Sequence, residues 1–461
     1  MINQKLYEQY NPWWQNQGIP ADFQFATKRK LFDQLVPEFK NKKIISIVGL
    51  RRVGKSVLIY QLIEHVLAQK INPQRIFYLK TDDPLLEIQK NIISDAVDFY
   101  EDAIAQKDLS KSSHTVFFFL DEVQKVEKWG EYLKRYYDLG YNIKFFITGS
   151  SSIQMIKTSK ESLAGRNKEY ILPPLSFKEA VNWQKKDKKI KAISQDKIFS
   201  HQVWSSILKQ ANQQLKLKTR EFGFLLNKYL SKGGFPELYF NKEDPYNYIK
   251  NQIVDRVIKR DIPEVTGIKN STLLQQVLIL IAKESGNIFS LREISRKLGI
   301  NFETVASYLF YLEESFLINI FRKYSRGGYS QAKTRPKIHI SDVGILSAAS
   351  GLREEVWRNP GIAGRTIEGI VANNLKFNFS DTNLFFWRDK QGEIDLVLER
   401  GGKKLPIEVK YQKNVLKNRF TSLERFREKY NTEFSLIITK EDLKIGKDKI
   451  FIPFWMFLLV I

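Results

Sequence analysis

The run Gly49-Leu50-Arg51-Arg52-Val53-Gly54-Lys55-Ser56 has the spacing G-x-x-x-x-G-K-[ST], in which glycines let backbone N–H groups curl around phosphate oxygens. In that pattern Lys55 reaches the β- and γ-phosphates of ATP and the Ser56 hydroxyl ligates Mg2+. The loop passes through Val57 into a helix whose N-terminus adds positive potential. A second run, Phe117-Phe118-Phe119-Leu120-Asp121-Glu122, reads as a buried strand ending in two carboxylates. Asp121 would hold the magnesium shell and Glu122 would polarise the attacking water. A third strand, residues 144–147, ends in Thr148-Gly149-Ser150-Ser151-Ser152. The hydroxyls of Thr148 and Ser150 would lie near the γ-phosphate if that strand runs between the other two; a hydroxyl-rich helix cap is the alternative. Arg51 and Arg52 either neutralise phosphate or face another subunit. Arg166, in Leu163-Ala164-Gly165-Arg166, is a candidate arginine finger, in cis or in trans, or else an ordinary loop arginine.

Another set of carboxylates lies far downstream. Gly392-Glu393-Ile394-Asp395-Leu396-Val397 and, past Gly401-Gly402, Pro406-Ile407-Glu408-Val409-Lys410 read as strand, turn and strand. Antiparallel pairing across that turn can bring Asp395 and Glu408 to one end of the sheet, and Glu408 and Lys410 then share a face. With Glu368 on the preceding helix, the set resembles the D…E-x-K constellation of metal-dependent nucleases, where hard oxygen ligands suit a second Mg2+ or Mn2+. Exposed charges that keep a sheet edge from pairing would give the same pattern.

The elements that must position these residues follow from periodicity. Between residues 43 and 174, short β-rich runs (44–48, 75–79, 116–120, 144–147) alternate with amphipathic stretches such as 56–69, which predicts a parallel, helix-covered sheet. Residues 177–270 turn helical. Residues 287–320 read as two short helices around Gly299 and a strand, and 321–340 as a glycine-tipped hairpin, together a helix-turn-helix with a wing. A helix at 366–377 and strands at 383–388, 394–399, 404–410 and 434–439 close the chain as a second α/β domain. The divisions expected are a P-loop ATPase domain at 1–176, a lid-like helical connector at 177–270, a winged helix at 271–345 and a restriction-endonuclease-like domain at 346–461. No cysteine and only four histidines among 461 residues exclude thiolate chemistry and disfavour a histidine metal site. The longest apolar run, residues 450–461 with Pro453 inside it, is shorter than the ~20 residues a spanning helix needs and reads as a buried terminal element. No membrane is expected, and the chain is read as cytoplasmic.

Lys+Arg 74 against Asp+Glu 51 gives +23, a field that attracts polyanions unless it is only a solvated lysine-rich surface. The would-be recognition helix, residues 301–314, has no Lys or Arg and three glutamates (Glu303, Glu313, Glu314), a poor surface for phosphate. The hairpin after it carries six cations (Arg322, Lys323, Arg326, Lys333, Arg335, Lys337) and no carboxylate. It would lie along a nucleic-acid backbone or dock on an acidic patch of its own chain.

The phosphate loop with its Arg pair, Leu120-Asp121-Glu122-Val123-Gln124 with Trp129, Ile147-Thr148-Gly149-Ser150-Ser151, Leu163–Arg166 and Leu172-Pro173-Pro174-Leu175-Ser176-Phe177 together resemble a family of predicted AAA+ superfamily ATPases of archaea and bacteria. Gly233-Gly234-Phe235-Pro236-Glu237, Arg260-Asp261-Ile262 and residues 336–344 resemble that family's C-terminal region, which carries a winged helix and a restriction-endonuclease-like module. The resemblance spans roughly residues 20–461. It implies Mg2+-dependent ATP binding and hydrolysis; AAA+ relatives often form rings, and whether this chain is a homo-oligomer stays open from sequence. Action on nucleic acid, an ATP-regulated metal-dependent nuclease, and a signalling or scaffold ATPase that binds a protein partner all remain open from sequence.

Overall fold

The computed structural model describes residues 2–15, 17–86, 91–150, 162–185, 190–325 and 334–461. Ser151 and Ser152 of the hydroxyl run, and Arg326, Tyr329 and Lys333 of the hairpin, lie outside the described residues. The chain forms two compact units, Met1–Pro173 and Pro174–Ile461.

The first unit is built on five parallel strands, β1 (Ile44–Val48), β2 (Ile76–Lys80), β3 (Val116–Asp121), β4 (Ile143–Gly149) and β5 (Asn167–Ile171), in the order β2-β3-β4-β1-β5. Strands β1 and β3 are buried along their whole length. That is why they read as unbroken apolar runs rather than as alternating ones. Stacked rings join neighbouring strands, Phe77 on Phe118 at 4.7 Å and Phe119 on Phe146 at 5.2 Å. The free edge of β2 is closed by Asn11, whose side-chain amide accepts from Tyr78 N at 2.7 Å and donates to Tyr78 O at 2.9 Å. One asparagine thus satisfies an edge residue that a foreign strand would otherwise pair.

The second unit opens with helices, among them His201–Leu215 and Thr219–Lys232. Three more, Ser271–Lys283, Leu291–Leu298 and Phe302–Glu314, bracket the expected turn, where Gly299 takes φ 65°. Eight strands follow in one mixed sheet: β6 (Ile318–Lys323), β7 (Lys337–Ile340), β8 (Asn383–Arg388), β9 (Glu393–Arg400), β10 (Lys403–Lys410), β11 (Ser435–Thr439), β12 (Lys444–Ile445) and β13 (Lys449–Pro453), in the order β12-β13-β11-β10-β9-β8-β6-β7. The β9–β10 hairpin turns at Gly401 and Gly402, both with positive φ. The hairpin strands β6 and β7 are therefore no free wing. β6 pairs in parallel with β8 (Arg322 with Phe385, Lys323 with Phe386), so the division expected at 345/346 runs through a single sheet. The apolar run 450–461 becomes β13 and the helix Phe454–Val460, all buried in the core. Among the described residues no helix is long and apolar enough to cross a membrane.

Candidate functional site

The phosphate loop leaves the carboxyl end of β1 and enters the helix Lys55–Ala68. Gly49 is required by a close approach: a Cβ there would stand 2.3 Å from Leu172 O. Gly54 takes φ 94° at the helix cap. The loop is pinned from behind by Arg29, a buried residue outside every motif, which donates to Val53 O and Pro173 O, both at 2.7 Å. Lys55 is buried, and its Nζ donates to Gly49 O at 3.0 Å and Leu50 O at 3.1 Å while facing Glu122 Oε1 at 3.8 Å. Neutral carbonyls hold an ammonium more weakly than phosphate oxygens would, so its partners suit a group that a triphosphate can recruit.

Strand β4 lies between β1 and β3, and this brings Thr148 against the acidic pair. Its hydroxyl donates to Asp121 Oδ1 and accepts from Glu122 N at 3.0 Å. Tyr78 OH donates to Asp121 Oδ2 at 3.1 Å. Burial, reinforced by the negative charge of Glu122, pushes the Asp121 carboxyl above its usual range, against hydrogen bonds from Ser56 and Thr148. A divalent ion between the Ser56 hydroxyl and Asp121 would supply the missing positive charge, and hard oxygen donors fit Mg2+. Glu122 sits in left-handed backbone at φ 57°, a conformation that costs energy and tends to persist at functional sites. That turn aims its carboxylate at Lys55. Gln124 Nε2 holds Glu122 Oε2 at 2.6 Å and also reaches Ser150 Oγ at 3.0 Å. Despite burial, Glu122 is held below its usual pKa by Lys55, Gln124, Ser150 and Arg51. It is therefore ionised at neutral pH, as a base must be.

The structure brings together Gly49 through Ser56, Asp121, Glu122, Thr148 and Ser150. It does not bring Arg166 to them. The Arg166 carbonyl accepts from Ile44 N at the start of β1, the opposite edge of the sheet from the loop, roughly 13 Å away by strand rise. Its guanidinium is clamped on Asp138 at 2.6 and 3.1 Å. That placement turns it away from this chain's own pocket and is as compatible with an ordinary loop arginine paired to Asp138 as with a role toward another subunit. Sequence reasoning missed Arg29 and Tyr78, which carry no motif signal, and gave Gln124 no role.

The downstream carboxylates also gather. Asp395 Oδ2 accepts from Val409 N at 2.8 Å, and Lys410 Nζ pairs with Glu408 Oε1 at 2.6 Å. Burial, with the charges of Glu368 and Glu408, holds Asp395 well above the ordinary carboxylate range, and burial also raises Glu408. Glu408 Oε2 is buried without a hydrogen-bond partner. Glu368 is occupied differently from the expected metal set: Lys337 Nζ binds Glu368 Oε1 at 2.8 Å and Glu393 Oε1 at 2.6 Å, and His339 Nε2 lies 3.2 Å from Glu368. Lys337, expected as a surface cation of the hairpin, is a buried ion-pair partner instead. Among the described residues no three Asp, Glu or His side chains are arranged to hold a metal ion. The Glu368 carboxylate is engaged by Lys337 instead.

Against known proteins, residues 41–181 match the AAA domain. Residues 223–356 and 363–457 match two domains of unknown function, DUF8612 and DUF4143. An uncharacterised protein of Haemophilus influenzae is 25% identical over 390 residues, 83% of this chain and 86% of its own length. An uncharacterised protein of Methanocaldococcus jannaschii is 26% identical over 409 residues, 86% and 81% of the two chains. Among solved structures, a Walker-type ATPase of Pyrococcus abyssi is 16% identical with a TM-score of 0.41, over 72% of this chain and 97% of its own. The ADP form of the ORC2 protein of Aeropyrum pernix is 11% identical with a TM-score of 0.34, over 76% and 97%. The P-loop segment of the chain is thus similar to the AAA domain, and the segments after it are similar to two domains of unknown function.

Proposed function

We propose that this protein hydrolyses ATP with Mg2+ and directs the cycle at nucleic acid through its second unit. The observation that carries the first half is the convergence of Lys55, Ser56, Asp121, Glu122 and Thr148 at the carboxyl ends of three adjacent parallel strands. Lys55 would draw the β- and γ-phosphates, and Ser56 with Asp121 would hold Mg2+. The ion would neutralise charge on the transferring phosphoryl group. Glu122 would polarise the attacking water, with Thr148 and Gln124 fixing its orientation.

Phosphate release and binding of a fluorescent ATP analogue test the site. Lys55→Ala should lose both with an unchanged circular-dichroism spectrum. Glu122→Gln should keep binding while turnover falls about 10²–10⁴-fold, the usual range for a general base. Wild-type turnover in either variant overturns the assignment.

The second half rests on the +23 charge and on the helices Leu291–Leu298 and Phe302–Glu314 around Gly299, whose order is that of a helix-turn-helix. Exposed Arg322 and Arg335 would contact backbone phosphate. Binding of labelled DNA or RNA that weakens steeply with salt is expected, since phosphate contacts release counterions. Salt-insensitive or absent binding would favour a protein partner. A nuclease reading has one observation in its favour, the unpaired buried Glu408 Oε2 beside Asp395 and Lys410. It requires Mg2+- or Mn2+-dependent cutting of plasmid or single strands that Asp395→Ala and Glu408→Ala abolish. Equal cutting in those variants, or none in the wild type, excludes it.

A further inference from the structure

Strands β10, β11 and β13 run parallel and end side by side at Lys410, Thr439 and Pro453. Just beyond the first two ends, walled by Tyr411 and Lys440, opens a cavity of about 750 Å³. Crevices outside the carboxyl ends of parallel strands are where such sheets take ligands, and this volume lies within the ~300–1,000 Å³ of ligand pockets. The cavity belongs wholly to the second unit, and the phosphate loop has no part in it.

Its lining has a consistent chemistry. Three rings face it, Tyr246, Trp357 and Tyr411, together with three cations, Lys232, Arg353 and Lys440. Arg353 Cζ lies 4.1 Å from the centre of the Tyr246 ring, and Lys440 Nζ lies 5.5 Å from that of Tyr411. Both cations therefore rest on aromatic faces, and an arginine so stacked keeps its N–H donors for a bidentate anion. The two carboxylates in the wall are otherwise engaged. Asp244 caps a helix by accepting from Asn247 N at 3.0 Å, and Glu354 accepts from Arg358 at 3.0 Å. Buried aliphatic groups of Leu230, Ile249 and Val343 form the floor.

Lys232 donates to Leu238 O, which leaves Arg353 and Lys440; these two cations, the aromatic faces and the apolar floor select a ligand that joins an anionic group to a flat ring. A bare phosphate would leave the rings and floor unused, and an uncharged aromatic would leave the cations unpaired. We propose that this cavity is a second nucleotide-binding site, for a nucleoside monophosphate unit held by base stacking and by Arg353 and Lys440 on its phosphate. That unit is either free or part of a single strand; stacking on aromatic side chains tolerates any base.

The test uses the full chain carrying Lys55→Ala, so that the phosphate loop does not contribute and a failure here is separable from a failure there. Tryptophan emission and anisotropy are followed while 5′-AMP, or separately a fluorescein-labelled oligothymidylate of about ten nucleotides, is titrated. Saturable binding of either probe is expected, weakened at least tenfold by Arg353→Ala, with the emission change lost in Trp357→Phe. AMP binding without oligonucleotide binding assigns a free nucleotide; tighter oligonucleotide binding assigns a strand. The proposal is overturned if neither probe saturates, or if both variants, folded by circular dichroism, bind like the parent.

Discussion

The Thr148 hydroxyl donates to one buried carboxylate and accepts the backbone N–H of the next residue, so a single atom sets the spacing of Asp121 and Glu122. Valine has nearly the same shape and neither function. Thr148→Val should leave an Asp121 oxygen and the Glu122 N–H without that partner, at a cost of about 1–3 kcal/mol for buried groups so stranded. Urea denaturation reads this directly, and turnover should fall with it because Glu122 is no longer held in place. Thr148→Ser, which keeps the hydroxyl, should restore most of both. Unchanged stability in the valine variant would mean the hydroxyl is a bystander. The same physics explains why Arg29 matters without belonging to a motif: it satisfies two carbonyls of a loop and a chain exit that have no strand to pair with.

At the scale of elements, the second unit depends on two buried ionic arrangements. Lys337 on β7 ties Glu368 of the helix Pro360–Asn378 to Glu393 of β9. Removing one partner of a buried pair leaves uncompensated charge, typically at ~3–5 kcal/mol. Lys337→Met should therefore destabilise this unit by about that amount, and the double variant with Glu368→Gln should recover part of it; additive losses would show that the two do not interact. Asp342 caps the helix Val343–Ser350 and accepts from Gly234 N at 2.8 Å. Burial lifts its carboxyl from 3.8 to about 6, against three backbone N–H donors. Between those values the folded chain keeps a proton that the unfolded chain has lost, so this group's contribution to stability falls as pH rises through the window. The wild type should lose roughly 1.4 kcal/mol relative to Asp342→Asn between pH 5 and 7.5; a gap constant with pH removes the role. Sequence patterning made β1, β3 and β4 legible because strands buried on both faces are written as apolar runs. It did not show β5, an edge strand whose Asn-Lys-Glu-Tyr-Ile has no apolar run to find. Nor did it show Lys337 inside the carboxylate cluster. That placement depends on the pairing of β6 with β8, between segments some sixty residues apart, and local periodicity carries no record of such a register.

At the scale of the molecule, Met1–Pro173 and Pro174–Ile461 each have their own sheet and core. Chains so divided commonly depart from two-state unfolding. The phosphate loop, Lys55, Asp121 and Glu122 all lie in the first unit, so a nucleotide bound there stabilises that unit by mass action and leaves the second to melt on its own terms. Scanning calorimetry should resolve two transitions. Mg2+ with a slowly hydrolysed ATP analogue, at about a hundred times its Kd, should add ~2.7 kcal/mol to one of them. In Lys55→Ala that shift should vanish, whereas Lys337→Met should lower the other transition and leave the nucleotide-dependent shift intact. If the analogue moves both transitions equally, or only one transition exists and every variant moves it, the units are a single cooperative body. Nucleotide binding would then stabilise the carboxylate cluster and the Arg353 cavity along with the loop.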